Sequence, residues 1–195
     1  MNAPLTRSAS ASMSQVALFA ALSAVLGLIP KIDLPFGVPI TAQSLGVMLA
    51  GCLLGAWRGF QSMAIFLIAV AAGLPLLSGG RGGLAPFMSP SAGYLYGWAF
   101  AAAATGLVMA MLPRGTTPLR LAINAFIASV AGGIIFLHAA GIAGLMLLAG
   151  MDFSAALAAD LVFVPGDLVK AVLCALIVHT VARALPDWPL PGRRF

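Results

Sequence analysis

At 195 residues, the chain is 62% hydrophobic, only 8% charged and has a mean hydropathy of +1.07. Soluble domains use roughly 45–50% apolar residues, so this composition excludes a water-soluble globule. The net charge of +5 does not make a nucleic-acid binder, because the basic residues stand singly at loop ends rather than clustered among aromatics. What remains is an all-α integral membrane protein, a single domain over residues 1–195 with no soluble module.

Apolar runs near the roughly 20 residues that cross a bilayer predict six transmembrane helices. They fall at about 14–30, 40–57, 59–77, 90–112, 119–141 and 166–185. The first run follows Arg7 and ends in "GLIPKID" without a small-x-small cleavage site, so it reads as an uncleaved span. It carries two small-xxx-small pairs, Ala17 with Ala21 and Ala20 with Ala24, that suit close approach by a helix of a partner subunit. Next, "KIDLPFGVPITAQSLG" holds a constrained loop with an apolar tip at Leu34 and Phe36, either a connector or a lid over a solute. Thr41, Gln43 and Ser44 then enter the second span, where any of them can face a polar interior.

A tight connection is expected at Trp57-Arg58-Gly59. The third span leads to "SGGRGG", whose Gly79, Gly80, Gly82 and Gly83 flank Arg81. That is either a flexible hairpin or a loop whose backbone approaches a ligand, with a guanidinium suited to a carboxylate. Ser89-Pro90 reads as N-cap and first residue of span four. Tyr94 and Trp98 share a face of that span at i, i+4; an interfacial aromatic belt explains them as readily as a pocket does. From Leu121 to Gly150 the chain is apolar for too long to be one straight span. Gly132-Gly133, Gly141 and Gly144 offer places to bend or stop. A break is expected near His138 to Gly141, leaving 142–165 as an outer segment with a short helix at Phe153 to Leu161 capped by Asp152.

Six spans put both termini on one side. That side holds Arg7, Arg58, Arg114, Arg120, Arg183, Arg193 and Arg194 against Asp187. The other holds Lys31, Arg81 and Lys170 against Asp33, Asp152, Asp160 and Asp167. The excess of basic residues places both termini in the cytoplasm. The three outer cations run against that rule and sit where an external solute arrives.

The last span opens with "PGDLVK". Asp167 at a helix start has an easy structural reading, since a carboxylate there caps free N–H groups. Lys170 opposes the helix dipole by roughly 0.3–1 kcal/mol, and an exposed i, i+3 pair returns only about 0.2–0.5 kcal/mol. Ionisable groups at membrane depth are by default functional, so Asp167 and Lys170 are read as a binding pair against the alternative of a structural ion pair. His138 and His179 stand apart from each other and from acids at metal-ligand spacing, and read as packing residues. Asn124 reads as a helix-to-helix hydrogen bond. Cys52 and Cys174 fall inside apolar runs and read as small buried residues. No nucleophile–base set, metal site, cofactor motif or ATPase motif is legible.

The segments "VPITAQSLGVMLAGCLLGAWRG", "AAGLPLLSGGRGGLAPFMSPSAGYLYGW" and "FVPGDLVKAVL" together resemble BioY, the biotin-specific substrate-binding (S) component of energy-coupling-factor (ECF) transporters, over nearly all of 14–185. The resemblance implies a six-helix bundle in the bacterial inner membrane. It implies a vitamin held at the outer face under loops after the first and third helices. It also implies docking through small-residue faces to a transmembrane T component with two ATPase subunits. Asp167 and Lys170 match the family's "PGDLxK", the loop glycines match, and so does Tyr94. Biotin's ureido ring offers two N–H donors and one carbonyl, which Asp167 and Lys170 complement; its carboxylate calls for a cation or N–H groups, with Lys170 and Arg81 both candidates, and which end of biotin each residue holds stays open. A self-sufficient, oligomeric transporter is the alternative, and a small membrane enzyme a more distant one.

Overall fold

A chain this apolar must satisfy its backbone polar groups within each segment, which favours helices. The structure, a computed structural model, describes residues 9–33, 38–113, 115, 117–186, 188, 190 and 191, without the side chains of 9–11. All named elements among the described residues are helical, with two isolated antiparallel bridges, Ile32 to Ile40 and Leu77 to Arg81. Leu34 and Phe36 of the expected lid lie outside the described residues, as do Arg7, Arg114, Asp187, Arg193 and Arg194.

The helices are α1 (Ala9–Leu26), α2 (Gln43–Leu54), α3 (Ala56–Ala71), α4 (Ala92–Met111), α5 (Pro118–Leu148), α6 (Phe153–Leu161) and α7 (Val164–Ala184). Three of them, α4, α5 and α7, are long and apolar enough to cross a membrane; stretches Ser12–Leu26, Gln43–Leu54 and Ala56–Ala71 are apolar but shorter. Large apolar side chains also cover the outside, among them Leu18, Ile68, Phe100, Leu147 and Leu176. A surface of that kind suits lipid rather than water. On α7 the buried residues are Asp167, Ala171, Cys174, Val178 and Ala182, one inward stripe at helical spacing, while Val169, Val172 and Leu176 face out.

Several boundaries differ from those expected. The α2–α3 turn is the single residue Gly55, at φ 85°, and Trp57, Arg58 and Gly59 already belong to α3. Helix α4 begins at Ala92 after Ser91; Ser89 instead donates its hydroxyl to the Pro86 carbonyl in the turn before it. The expected break near His138 to Gly141 is absent. Helix α5 runs unbroken for 31 residues, with a π-helical stretch over Ser129–Phe136. Its glycines are contact points: a Cβ on Gly132 would overlap Thr105, one on Gly144 would lie 2.5 Å from Gly93, and one on Gly141 would enter the ring of Tyr94. In lipid, helices associate by close packing over small residues, and these glycines serve that contact. The short helix over Phe153–Leu161 forms as expected. Asp152 accepts from the Ala155 N–H at 2.8 Å, which with the Ser154 hydroxyl holds its carboxyl below the usual carboxylate range.

One end of the bundle gathers the end of α1, the start of α2, the end of α3, and the starts of α4 and α7. Gln43 ties it together. Its amide donates to the carbonyls of Ser23 (2.9 Å) and Leu76 (3.0 Å) and accepts from the Ser78 N–H (3.0 Å). At the opposite end, Arg58 donates to Gln15 at 3.5 Å, Trp188 donates to the Leu53 carbonyl at 3.2 Å, and Gly106 packs against the backbone of Gly55 and Ala56. Asn124 donates to the Pro113 carbonyl at 3.0 Å, holding the segment after α4 rather than a neighbouring helix. Cys52 and Cys174 are buried and unbridged, in keeping with their apolar context.

Candidate binding site

Pro165 at the start of α7 lacks an N–H that the first helical turn has no use for, and its fixed φ suits that position. The turn so begun places Asp167 on the inward stripe and Lys170 at its edge. Lys170 Nζ lies 2.7 Å from Asp167 Oδ1, and both contact Ser44 Oγ at 2.9 Å: Lys170 donates to it and it donates to Asp167. Ser44 comes from the first turn of α2, so this triangle joins two helices. The side chain of Asp167 is 7% exposed and that of Lys170 15%. Removing such a pair from water costs several kcal/mol per ion unless further hydrogen bonds complete it.

Those further bonds come from residues that carry no local signal in the sequence. His138 Nε2 lies 2.9 Å from Asp167 Oδ2, and its Nδ1 lies 2.8 Å from Asp160 Oδ2. Asp160, on α6, also accepts from the Tyr94 hydroxyl at 2.6 Å. His138 is therefore no isolated packing residue; it bridges two buried acids. The ring of Tyr94 reaches Asp160 because Gly141 beneath it has no side chain. Five segments thus meet in one chain of contacts, Tyr94–Asp160–His138–Asp167–Lys170, with Ser44 beside its end.

All of that chain but Asp160, which stands behind His138 and Tyr94, lines a cavity of about 70 Å³, room for several water-sized bodies where about 10–15 Å³ holds one. The polar wall is Ser44, Asp167, Lys170 and His138, with Thr41 and Ser91; the apolar wall is Trp98, Leu95, Leu137, Phe163 and Val38. Tyr94 and Trp98 both line it, as their shared helix face suggested. Trp98 is backed by Phe66, with ring centroids 5.8 Å apart. Arg81 also lines the cavity, its Nε donating to the Ser78 carbonyl at 3.2 Å.

Other expected residues fall elsewhere. Gly80, Gly82 and Gly83 do not line the cavity. Gly79, Gly80 and Gly83 hold φ of 79°, 68° and 76°, which make the hairpin turn that carries Arg81 inward, and Gly82 packs on the Leu74 carbonyl. Lys31 is paired with Asp33 at 2.5 Å, and its stem lies against Gly79. Of the α1 alanines, Ala20 is buried in this chain's own core and Ala24 packs against it, whereas Ala17 and Ala21 are exposed. His179 is not among the cavity residues.

The BioY family profile matches residues 1–187. The chain belongs to the BioY family. Among BioY relatives, the protein named biotin transporter BioY in Rhizobium etli is 50% identical over 175 residues, 89% of this chain and 94% of its own. The biotin transporter BioY of Rhodobacter capsulatus is 47% identical over 185 residues, 90% of this chain and 95% of its own. A solved structure described as the S-component for biotin from an ECF-type ABC transporter superposes with a TM-score of 0.84 at 31% identity. It covers 98% of this chain and 100% of that one, so the BioY bundle extends over nearly the whole molecule.

Proposed function

We propose that this protein is the biotin-binding S component of an energy-coupling-factor uptake system in a bacterial inner membrane. It takes biotin at the outer face and delivers it with a T component and ATPase subunits; the chain itself binds and does not catalyse. The cavity carries this reading. One wall is apolar and aromatic, and the other sets an acceptor, Asp167, beside a donor, Lys170. That is the complement of a urea-like bicycle with two N–H groups, one carbonyl and hydrocarbon faces.

Arg81 is assigned the biotin carboxylate. Lys170 already has Asp167 and Ser44 as partners, whereas Arg81 uses one N–H on Ser78 and has four left for an anion. The carboxylate then lies toward the glycine hairpin and the ring lies deeper, against α7. Six crossings with cytoplasmic termini fit the basic residues on the terminal side and the alternating helix directions that bring all the site residues to one end. Ala17 and Ala21, exposed on α1, remain as a contact face for the T component.

Trp98 makes the binding test direct. Biotin added to the purified protein in detergent is expected to change the tryptophan fluorescence saturably, and dethiobiotin, which keeps the ureido group, is expected to compete. No saturable change, with no biotin retained on equilibrium dialysis, would remove the substrate assignment. Liposomes then test the partnership: energised biotin accumulation is expected only when T component and ATPases are added. Uptake by this chain alone would favour the self-sufficient transporter.

A further inference from the structure

The binding assignment makes Asp167 the acceptor for the ureido N–H groups, and the role of its neighbour His138 rests on that reading. We infer that His138 is a positioning residue for Asp167: its ring, held by Asp160 and Tyr94, fixes the plane of the Asp167 carboxylate so that one acceptor direction is left facing the cavity.

The geometry of the carboxylate carries this. A carboxylate turns about a single bond and accepts about four hydrogen bonds. Asp167 Oδ1 takes Ser44 and Lys170, and Oδ2 takes His138. Ser44 and Lys170 hold the carboxylate by one oxygen only, and His138 holds it by the other. With both oxygens tied to different helices the plane is set from two sides, and about one acceptor direction is left for a ligand. The ring of His138 is itself fixed, because its second nitrogen is held by Asp160 and Asp160's other oxygen is held by Tyr94. Pre-set acceptors of this kind raise affinity by removing ordering that binding would otherwise have to impose.

Proton count supports the same arrangement. Two nitrogen–oxygen contacts of 2.8 and 2.9 Å each need one proton between the atoms. Two protons shared among His138, Asp160 and Asp167 meet that need, and wherever they reside the cluster with the Lys170 ammonium is neutral. Every packed element contributes: Tyr94 from α4, Asp160 from α6, Asp167 and Lys170 from α7, the uncharged Ser44 from α2, and Arg81 lining the same cavity. Asp160 and Asp167 lie in different helices, 2% and 5% exposed, so no water shell relieves an uncompensated anion there.

The rival account is that His138 merely docks α6 on the bundle, and ligand chemistry separates the two. In His138→Gln, biotin affinity is expected to fall by about 10-fold or more. A biotin analogue methylated on both ureido nitrogens, which has no N–H for Asp167 to accept, is expected to bind the wild type weakly and the variant no more weakly. Adding Asp160→Asn is expected to recover most of the biotin affinity. In that double variant the amide that replaces the imidazole can donate to Asp167 and accept from the amide that replaces the Asp160 carboxylate, and the cluster is neutral again. Equal loss of biotin and analogue without recovery in the double variant would leave His138 a packing residue and overturn the inference. So would wild-type biotin affinity in His138→Gln while Asp167→Asn loses it. Should His138→Gln not fold, two double variants decide. His138→Gln/Asp160→Asn keeps a donor to Asp167 and His138→Leu/Asp160→Asn lacks it, and the second is expected to bind biotin about 10-fold less tightly; equal affinity would overturn the inference. A wild-type protein that ignores biotin, or an Asp167→Asn variant that binds it normally, would instead take down the site assignment itself, and the role of His138 with it.

Discussion

The two ends of this bundle are held together by different chemistry. At the cavity end, helices meet through side chains that hydrogen-bond across gaps: Ser44 to Asp167, His138 to two acids, Tyr94 to Asp160, Gln43 to three backbone groups. At the Gly55 end backbones come together, with Gly106 on Ala56, Gly59 on Ala50 and Gly51 on Ala102, as they do at the cavity end where Gly93 meets Gly144; Arg58 and Trp188 add two side-chain bonds to this tighter end. The first arrangement keeps space between helices and fills it with polar atoms; the second abolishes the space. A lipid-embedded protein gains no hydrophobic drive between its helices, so close packing must supply much of the stability. The contrast is a division of labour. The cavity lies at the end where side chains bridge the helices.

The sharpest way to break this division is at the tighter end. Gly106→Val would push a branched side chain into the Ala56 backbone, and overpacking in a tight core typically costs about 1–3 kcal/mol. The expected outcome is loss of monodisperse protein on size-exclusion chromatography, with near-normal biotin affinity in whatever folds. An effect of similar size, on binding rather than folding, falls on the ligand. Asp167→Asn removes a charged acceptor worth about 1.5–3 kcal/mol, so biotin affinity should fall about 10- to 150-fold while membrane insertion stays normal. Arg81→Gln should cost about 10-fold for biotin by dialysis but little for biotinamide, whose tail has no charge to bind. The smallest expected effect lies in α3. The hydroxyl of Ser62 is buried with no hydrogen-bond partner among the described residues, so Ser62→Ala should raise thermal stability in detergent by about 1 kcal/mol and leave binding unchanged.

The sequence disclosed what neighbouring residues determine. Asp167 and Lys170 are three positions apart, Tyr94 and Trp98 four, and Asp152 caps the turn after it; each relation survives in the structure because one helical turn enforces it. His138 was lost for the opposite reason. Its acids lie 22 and 29 residues away, on two other helices, and no local period connects them. A hint was present: Asp160 and Asp167 are two of only five acidic residues in the chain, on the same side as the far end of span five. The glycines of α5 misled for a physical reason too. Rules drawn from water treat an interior glycine as a weak point, whereas here Gly132, Gly141 and Gly144 let Thr105, Tyr94 and Gly93 come close. Periodicity likewise set Ala20 and Ala24 beside Ala17 and Ala21 without revealing that one pair faces inward.

Gln43 has a consequence for the cavity. Its one amide is bonded to the tail of α1, to Leu76 and to Ser78, so the glycine hairpin hangs from the same bracket as the start of α2. The next residue along is Ser44, which touches both members of the ion pair on α7. The hairpin, the first turn of α2 and the Asp167–Lys170 pair are therefore tied in series, and a change in any one of the three is felt by the other two through Gln43 and Ser44.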